Sequence, residues 1–307
     1  MLASDRVFRR LILGVAGHPT VSRVVTRHGL SLGARRFVAG ETLREGLGAV
    51  ASLRARGLLA TLDFLGEKVT DRAAARQAAA TYVEMLRTLA EAGLEPNVSL
   101  KASQMGLTVD PRACLANVRE VLQAAASVGG FVCIDMEESA LVEATLALYR
   151  TLAQEFPGRV GVVLQAYLYR SEEDLRALLP LRPHVRLCKG AYSEPPAVAY
   201  PRKRDVDRNF LRLLEIALEG AGFTAVATHD ERIIAEAKRM VRGAGAAGRS
   251  EFQMLYGVKP RLQQALAAEG WPVRIYVPFG THWYPYFVRR LAERPANVAF
   301  VLRGLWG

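Results

Sequence analysis

Short apolar segments alternate along the chain with longer amphipathic segments from Leu58 to Trp306. The short segments have the length of buried strands, and the longer ones place apolar residues three or four positions apart, as helices packed on one face do. Eight strands are predicted: Leu58–Leu65, Asn97–Ala102, Phe131–Met136, Val160–Ala166, His184–Gly190, Thr224–His229, Glu251–Tyr256 and Val273–Phe279. Helices are predicted between them and after the last strand: Arg72–Ala92, Pro111–Val128, Ser139–Glu155, Glu172–Leu179, Val206–Gly220, Glu231–Arg242, Lys259–Ala268 and Tyr286–Glu293.

Eight strand and helix repeats with short connections predict an α/β fold, a (β/α)8 TIM barrel, with a doubly wound open sheet as the alternative. The preceding residues also show helical spacing of apolar positions, and a capping box from Thr42 to Glu45 begins the last of these helices. We therefore expect an N-terminal helical segment, residues 1–57, packed on a barrel formed by residues 58–307.

Composition limits the function only loosely. The chain has 307 residues and a formal net charge of +11, which suits nucleic acid, an anionic membrane surface or acidic ligands. The three cysteines are odd in number and lack C-x-x-C spacing, so neither a disulfide framework nor a metal site is predicted. Because the longest N-terminal apolar run is only Leu11 to Gly17, we expect a soluble, cytoplasmic protein.

Two segments match functional patterns but have a structural interpretation. Gly243 to Gly248 fits the dinucleotide motif G-x-G-x-x-G, yet it follows a helix and precedes a strand, the reverse of the context in which a helix N-terminus binds pyrophosphate. We interpret it as a helix-to-strand turn. Glu194 to Arg204 is the longest irregular loop, and we interpret its basic part, Pro201 to Arg204, as a solvated face.

The fifth predicted strand contains a charge within an apolar pattern. If Val185 and Leu187 pack against helices, alternation puts Arg186 on the opposite face, inside the barrel. A buried guanidinium is costly unless an anionic or polar group meets it. Arg186 is then either half of a structural ion pair or part of a site.

Alternation in the other strands predicts a ring of polar groups. In such a barrel the outer strand face packs on helices, and chemistry gathers at the C-terminal strand ends. In the sixth strand we expect Ala225 and Ala227 on the helix side and Thr228 inside. The residues predicted to face inward are Asn97, Ser99, Lys101, Cys133, Asp135, Gln165, Arg186, Thr228, Gln253, Leu255 and Tyr276. So many hydrogen-bonding groups at one rim imply a large polar ligand over the barrel mouth.

The last predicted helix adds a second set of polar side chains. Tyr286, Arg289, Arg290 and Glu293 lie three or four residues apart and share one face. An exposed helix can hold such charges without a function. After the eighth strand, however, the two arginines can reach the barrel mouth and bind a carboxylate bidentately.

Seven motifs follow one another along the chain: S-L-K-A-S at 99–103, I-D-M-E at 134–137, V-R-L-C-K-G-A-Y at 185–192, A-T-H at 227–229, E-F-Q-M-L at 251–255, R-I-Y-V-P-F-G-T-H at 274–282 and Y-F-V-R-R-L-A-E at 286–293. In this order they resemble the motifs of the monofunctional bacterial proline dehydrogenases and of the proline dehydrogenase domain of proline utilization A proteins. The resemblance runs from about residue 58 to the C-terminus. The chain departs from the family pattern at Ser193, where many relatives have an aromatic residue, and at Trp283 to Pro285.

The resemblance implies a distorted (β/α)8 barrel that binds FAD non-covalently, oxidises L-proline to 1-pyrroline-5-carboxylate and passes electrons to a membrane quinone. It implies catalytic roles for Asp135 and Arg186. The proline pocket would consist of Lys101, Leu255, Tyr276, Tyr286, Arg289 and Arg290. The residues that would contact FAD are Met136, Gln165, Arg186, Gly190, Ala191, Tyr192, Thr228, His229 and Glu293.

Other interpretations stay open at this level. A barrel aldolase or lyase would form a Schiff base on Lys101 or Lys189, of which Lys101 is the better candidate because alternation turns Lys189 away from Arg186. A nucleic-acid binder rests only on the net charge and the basic tetrad, and we expect no nucleic-acid partner. The charge better fits peripheral attachment to the anionic inner face of the cell membrane, where a quinone acceptor would lie.

Overall fold

Eight parallel strands form a closed barrel in chain order, with the last strand paired to the first. The computed structural model describes residues 34–66 and 68–293. Its strands are β1 (Leu59–Phe64), β2 (Asn97–Lys101), β3 (Phe131–Asp135), β4 (Val160–Gln165), β5 (His184–Cys188), β6 (Phe223–Ala227), β7 (Ser250–Leu255) and β8 (Val273–Phe279). The closed barrel confirms the predicted fold and excludes the open sheet.

Within the described ranges, one α-helix precedes the barrel and one follows each strand. They are α1 (Leu43–Arg54), α2 (Arg72–Glu91), α3 (Pro111–Ser127), α4 (Val142–Glu155), α5 (Ser171–Leu178), α6 (Lys203–Gly220), α7 (Glu231–Gly243), α8 (Pro260–Ala268) and α9 (Tyr284–Glu293). Every predicted strand and helix of the barrel is present, with ends that differ from the prediction by up to three residues. None of these helices combines the length and the apolar character that crossing a bilayer requires.

Side-chain caps determine where several helices begin. The predicted capping box is confirmed at α1, where the Thr42 side chain accepts from Glu45 N and the Glu45 carboxylate accepts from Thr42 N. Asp71, Asp110 and Asp230 cap α2, α3 and α7, where their side chains accept hydrogen bonds from backbone N–H groups of the first turn. Gly243 ends α7 and β7 begins at Ser250, so the glycine-rich segment between them is the predicted helix-to-strand turn.

The main apolar core lies between the barrel and its helices, and a second cluster anchors α9. Trp283 is fully buried in that cluster with Phe37, Leu65 and Phe287, and its indole nitrogen donates to Glu41 Oε1 at 3.1 Å. The segment that departs from the family pattern therefore fixes the helix that follows β8. Because Tyr276 packs on the same cluster, α9 lies beside the barrel mouth.

The face predicted for Ala225 in the sixth strand is wrong. Ala225 pairs in register with Arg186 and lines the barrel interior, so it does not face the helices, and its small side chain leaves room for the guanidinium. The basic segment Pro201 to Arg204 is exposed, as predicted, although Lys203 already begins α6 and forms ion pairs with Asp207 and Asp230. The proposed boundary at residue 57 stays a prediction, since residues 1–33 lie outside the described part of the chain.

Candidate active site

A network of buried charges occupies the C-terminal half of the barrel interior. Arg186, on β5, donates from Nη1 to Asp135 Oδ1 at 2.7 Å and from Nη2 to Ser99 Oγ at 2.9 Å. Tyr276, on β8, donates its hydroxyl to the other Asp135 oxygen at 2.7 Å. Lys101 Nζ lies 3.7 Å from Asp135 Oδ2 and 3.4 Å from the Tyr276 hydroxyl. Four strands thus bring together the predicted catalytic residues and two predicted pocket residues.

Register explains why these side chains meet. Lys101 pairs with Asp135 in the β2–β3 ladder, and Thr61 pairs with Tyr276 in the β1–β8 ladder. Paired positions of neighbouring parallel strands point to the same face, here the inside of the barrel. Asp135 consequently bridges β2, β3, β5 and β8 through a single carboxylate.

Burial alters the acid–base behaviour of this network. Burial lowers the pKa of the Arg186 guanidinium, but neighbouring acidic groups, Cys133 and Asp135 first among them, raise it above its usual value. Burial, and then the charge of Asp135, raise the pKa of Tyr276 well above 10. Arg186 is therefore a permanent positive charge, and Tyr276 stays a neutral hydrogen-bond donor at any physiological pH.

Asp63 completes the network and was missed by the sequence analysis. Its side chain is fully buried, and Oδ1 accepts from Lys101 Nζ and from the Tyr82 hydroxyl, each at 3.4 Å. The signal was available, because Asp63 is a charged residue in the apolar strand Leu-Ala-Thr-Leu-Asp-Phe, as Arg186 is in β5. Ser99 was predicted to face inward but was not assigned to the site.

Loops at the C-terminal ends of β3, β4 and β5 hold several residues assigned by resemblance to FAD. Met136 is buried directly after β3. Gln165 ends β4 and donates from Nε2 to the Glu137 carbonyl oxygen at 2.8 Å. Gly190 has φ +108°, and an added Cβ would lie 2.2 Å from a Tyr167 ring carbon, so both conformation and packing require glycine there.

Carboxylates tie these rim loops to one another. The Glu137 side chain accepts from Ser103 N at 2.9 Å, which joins the loops after β2 and β3. The Glu194 side chain accepts from Ser139 N at 2.7 Å, which joins the loops after β3 and β5. Because Glu194 directly follows Ala191, Tyr192 and Ser193, this part of the loop after β5 is fixed to the loop after β3.

The ends of β6 and β7 meet through His229. Its Nε2 accepts from Leu255 N at 2.9 Å, so the ring links the A-T-H segment to a predicted pocket residue. Thr228 lies directly before it, and its hydroxyl accepts from Asp230 N at 3.2 Å. Lys189 contacts Asp207 and Asp230 at 2.6 and 2.7 Å outside the barrel interior, where a Schiff-base lysine would serve no site.

Helix α9 places its arginines beside the mouth. Tyr286 and Arg290 are nearly buried, and the Arg290 guanidinium lies 5.0 Å from the Tyr286 ring centroid. Arg289 is half-buried on the same helix. Glu293 ends the helix, and its side chain lies outside what the structure describes, so its assignment stays a prediction.

The described residues offer no metal site and no disulfide. They contain no group of three or more His, Cys, Asp or Glu side chains placed to hold a metal ion. Cys114, Cys133 and Cys188 are free thiols, and burial raises the pKa of each, to about 12, 12 and 11. Protonated, buried thiols make poor nucleophiles.

A closed (β/α)8 barrel with a buried polar network at its C-terminal strand ends is the arrangement of a barrel enzyme. The sequence pattern of the proline dehydrogenase family matches residues 47–303. The chain therefore belongs to the proline dehydrogenase family, in agreement with the resemblance seen in its motifs. This membership does not favour the aldolase or lyase alternative.

Individual relatives agree with this assignment. The chain is 43% identical over 300 residues to proline dehydrogenase 1 of Bacillus subtilis, covering 97% of this chain and 99% of that protein. It is 44% identical over 306 residues to the proline dehydrogenase of Deinococcus radiodurans, covering 98% of each. Proline utilization A from Bdellovibrio bacteriovorus, inactivated by N-propargylglycine, superimposes with a TM-score of 0.81 at 25% identity. That match covers 89% of this chain and 33% of the longer protein.

Proposed function

We propose that this proline dehydrogenase uses non-covalently bound FAD to oxidise L-proline to 1-pyrroline-5-carboxylate, the first step of proline catabolism to glutamate. Electrons would then pass to a membrane quinone. The observation that supports this proposal is the buried network of Lys101, Asp135, Arg186 and Tyr276 at the C-terminal strand ends, beside the arginines of α9.

The residues present fit a flavin. Arg186 Nε is a buried donor without a hydrogen-bond partner among the described residues, and a ligand can satisfy such a donor. Of the other residues assigned to FAD, Gln165 ends β4 and Thr228 directly follows β6, so both lie at the C-terminal end of the barrel. Together they offer amide, hydroxyl and guanidinium groups, which suit a polar heterocycle. Bound FAD would accept two electrons as a hydride from proline C5.

Arg186 would supply fixed electrostatic stabilisation. Its guanidinium is held on two sides, by Asp135 and Ser99, and therefore does not have to reorient during the reaction. A preorganised positive charge in a buried site favours a partner that gains negative charge. Asp135 would keep this charge in place and would orient the Tyr276 hydroxyl at the same time.

The substrate would lie between the network and α9. Arg289 and Arg290 would bind the proline carboxylate, with Lys101 as a third positive charge. Tyr276, Tyr286 and Leu255 would wall the pyrrolidine ring. The near burial of Arg290 strengthens its attraction to a carboxylate, because water screens the charges less.

The direct test uses the visible spectrum of the purified protein. We expect a yellow protein whose flavin absorption is bleached by L-proline under anaerobic conditions, whereas D-proline leaves it unchanged. Release of the chromophore by denaturation would show that it is non-covalent. A colourless protein that borohydride traps on a lysine in the presence of substrate would contradict the proposal and restore the Schiff-base alternative.

The quinone acceptor and the membrane attachment need a separate test. We propose a cytoplasmic protein that binds peripherally to the anionic inner face of the cell membrane, because each Lys or Arg near such a surface contributes about 1 kcal/mol of attraction. Co-sedimentation with liposomes should increase with the fraction of anionic lipid and decrease with salt. Equal sedimentation with neutral and anionic liposomes would contradict this attachment.

A further inference from the structure

Asp63 is a buried acid whose contacts are incomplete. It is 0% exposed, and it pairs in register with Ser99 at the level of the candidate site. Oδ1 accepts from Lys101 and from Tyr82, but Oδ2 has no hydrogen-bond partner among the described residues. Burying a carboxyl group with so few partners is costly. A role in the site explains why the strand contains it.

The distances between the buried acids and cations show that Asp63 is paired with Lys101. Asp135 is already engaged, because Oδ1 accepts from Arg186 and Oδ2 accepts from Tyr276, both at 2.7 Å. Lys101 lies 3.7 Å from Asp135 but 3.4 Å from Asp63. Asp63 is therefore the nearer of the two carboxyl groups to the Lys101 ammonium. Asp135 in turn is paired mainly with Arg186.

We propose that Asp63 is a positioning residue for substrate binding, which holds the Lys101 ammonium where it faces the proline carboxylate. This inference rests on the proposed function, in which Lys101 belongs to the proline pocket. Asp63 acts through Lys101, because its side chain points at the ammonium and is itself sealed from solvent. Its loss should weaken substrate binding more than turnover.

The two groups depend on each other electrostatically. Burial raises the pKa of the Asp63 carboxyl, and the charge of Lys101 opposes this shift. Lys101 supplies the positive charge, whereas the Tyr82 hydroxyl at the same distance and the Tyr276 hydroxyl are neutral donors. Mutual dependence of this kind predicts that the effects of losing the two side chains are not independent.

A double-mutant cycle on the flavin-loaded enzyme tests the inference. We expect Asp63→Asn, which keeps shape but removes charge, to raise the KM for proline by about 10-fold with kcat changed by less than about 3-fold. Lys101→Met should raise KM at least as much. In the double variant, KM should be no higher than in Lys101→Met alone, because Asp63 then has no cation to position.

Equilibrium binding gives a readout independent of turnover. Cyclopentanecarboxylate has the carboxylate and the ring size of proline but no nitrogen, and its Kd can be measured by calorimetry on the same holoenzyme. We expect Asp63→Asn to weaken its binding by about 10-fold. Glu251→Gln is the matched control, since Glu251 is also a buried acid inside the barrel but pairs with Arg274 at the opposite end. Its Kd should be unchanged.

The outcomes separate failure of this inference from failure of the proposed pocket. If Lys101→Met leaves the proline KM unchanged, the proposed pocket is wrong. If Lys101→Met raises KM but Asp63→Asn does not, or if the two effects multiply, Asp63 does not act through Lys101. If Asp63→Asn loses its flavin, Asp63→Ser is measured instead, and loss of flavin there too would show a structural role and overturn the inference.

Discussion

The two ends of the barrel interior both bury charges, but they satisfy them differently. At the N-terminal end, all three guanidinium nitrogens of Arg274 have acceptors, from Glu251, Glu95 and the Ala60 carbonyl oxygen, at 2.8 to 3.2 Å. At the C-terminal end, the described neighbours leave Asp63 Oδ2 and Arg186 Nε without hydrogen bonds. A network in which every polar atom is hydrogen-bonded stabilises one structure. Unsatisfied polar atoms beside the barrel mouth, by contrast, can hydrogen-bond to a ligand.

A charged residue in an apolar strand does not by itself indicate a functional site. Arg186 and Arg274 both interrupt apolar strands and both face the barrel interior. Only the first lies among the strand ends where barrel enzymes bind their substrates. A charge in an apolar strand thus indicates a buried partner, and its position along the strand indicates whether that partner is structural or chemical.

The largest expected effect is a loss of stability on breaking the Arg274–Glu251 ion pair at the N-terminal end of the barrel. Arg274→Met leaves Glu251 buried without its cation, and we expect unfolding in urea to show a stability loss of about 3–5 kcal/mol. The proline KM of the protein that remains folded should stay within about twofold. Arg119→Met is the control, because the Arg119–Glu155 pair is about one-third exposed and should contribute about 0–1 kcal/mol. A strong kinetic defect in Arg274→Met would mean that the two ends are coupled.

A smaller effect, on the turnover number, is expected from a substitution in the network at the C-terminal end of the barrel. Asp135→Ala removes the acceptor that Arg186 and Tyr276 share, and we expect kcat to fall by about 100-fold, or about 2.7 kcal/mol, with flavin still bound. Stopped-flow measurement of flavin reduction isolates the step. Asp174→Asn changes a buried acid that is paired with Arg170 outside the barrel, and in this variant the flavin should be reduced at the normal rate. Unchanged turnover in Asp135→Ala would show that this acid is only structural.

Hydrophobic periodicity predicted the barrel, but it did not fix every face. The eight strands were found as short apolar segments, and in strands such as β2 the alternation of Val98 and Leu100 with polar residues also gave the faces. In β6, by contrast, Phe-Thr-Ala-Val-Ala gives both faces small or apolar side chains, so alternation alone could not choose between them. Register with Arg186 decides the face, and register depends on neighbouring strands that are distant in sequence.

The site was predictable to the extent that it is encoded in local motifs. Lys101, Asp135, Arg186 and Tyr276 each stand in a recognisable motif, and the structure brings them into one network. The assignment of Asp63 to Lys101 depends on tertiary distance, and so do the ties of Glu137 and Glu194 to serines in other loops. No local pattern specifies which of many carboxylates will meet a given cation.

The third effect in size is a weaker affinity for proline when an arginine of α9 is replaced. Arg290→Met removes one positive charge from α9, and we expect the proline KM to rise by about 10- to 30-fold, or about 1.4–2 kcal/mol, with kcat nearly unchanged. Steady-state kinetics over a range of proline concentrations measure it. Arg176→Met, which changes an arginine on the surface of α5, is the control and should not alter KM. An unchanged KM in Arg290→Met would remove this arginine from the proposed clamp.

The smallest effect is a pH dependence of stability that belongs to the N-terminal end. His184 lies between the rings of Phe131 and Phe223, at centroid distances of 4.3 and 4.2 Å. Burial, and then the charges of Arg274 and Arg186, lower the pKa of its imidazole from 6.5 to about 3. The unfolded chain therefore binds a proton below about pH 6.5 that the folded protein does not bind until about pH 3, and stability is lost as the pH falls through this window.

Replacing this histidine should remove that acid sensitivity. His184→Gln cannot bind the proton in either state, so between pH 7 and pH 5 it should lose about 1–2 kcal/mol less stability than the unsubstituted protein. Urea unfolding at the two pH values measures the difference, and the comparison at pH 8 corrects for any change in packing. Arg186, whose charge also acts on the histidine, stays protonated throughout this range, so the pH profile of kcat/KM for proline should be the same in both proteins. Parallel loss of stability in the two proteins would contradict a neutral, partly buried His184.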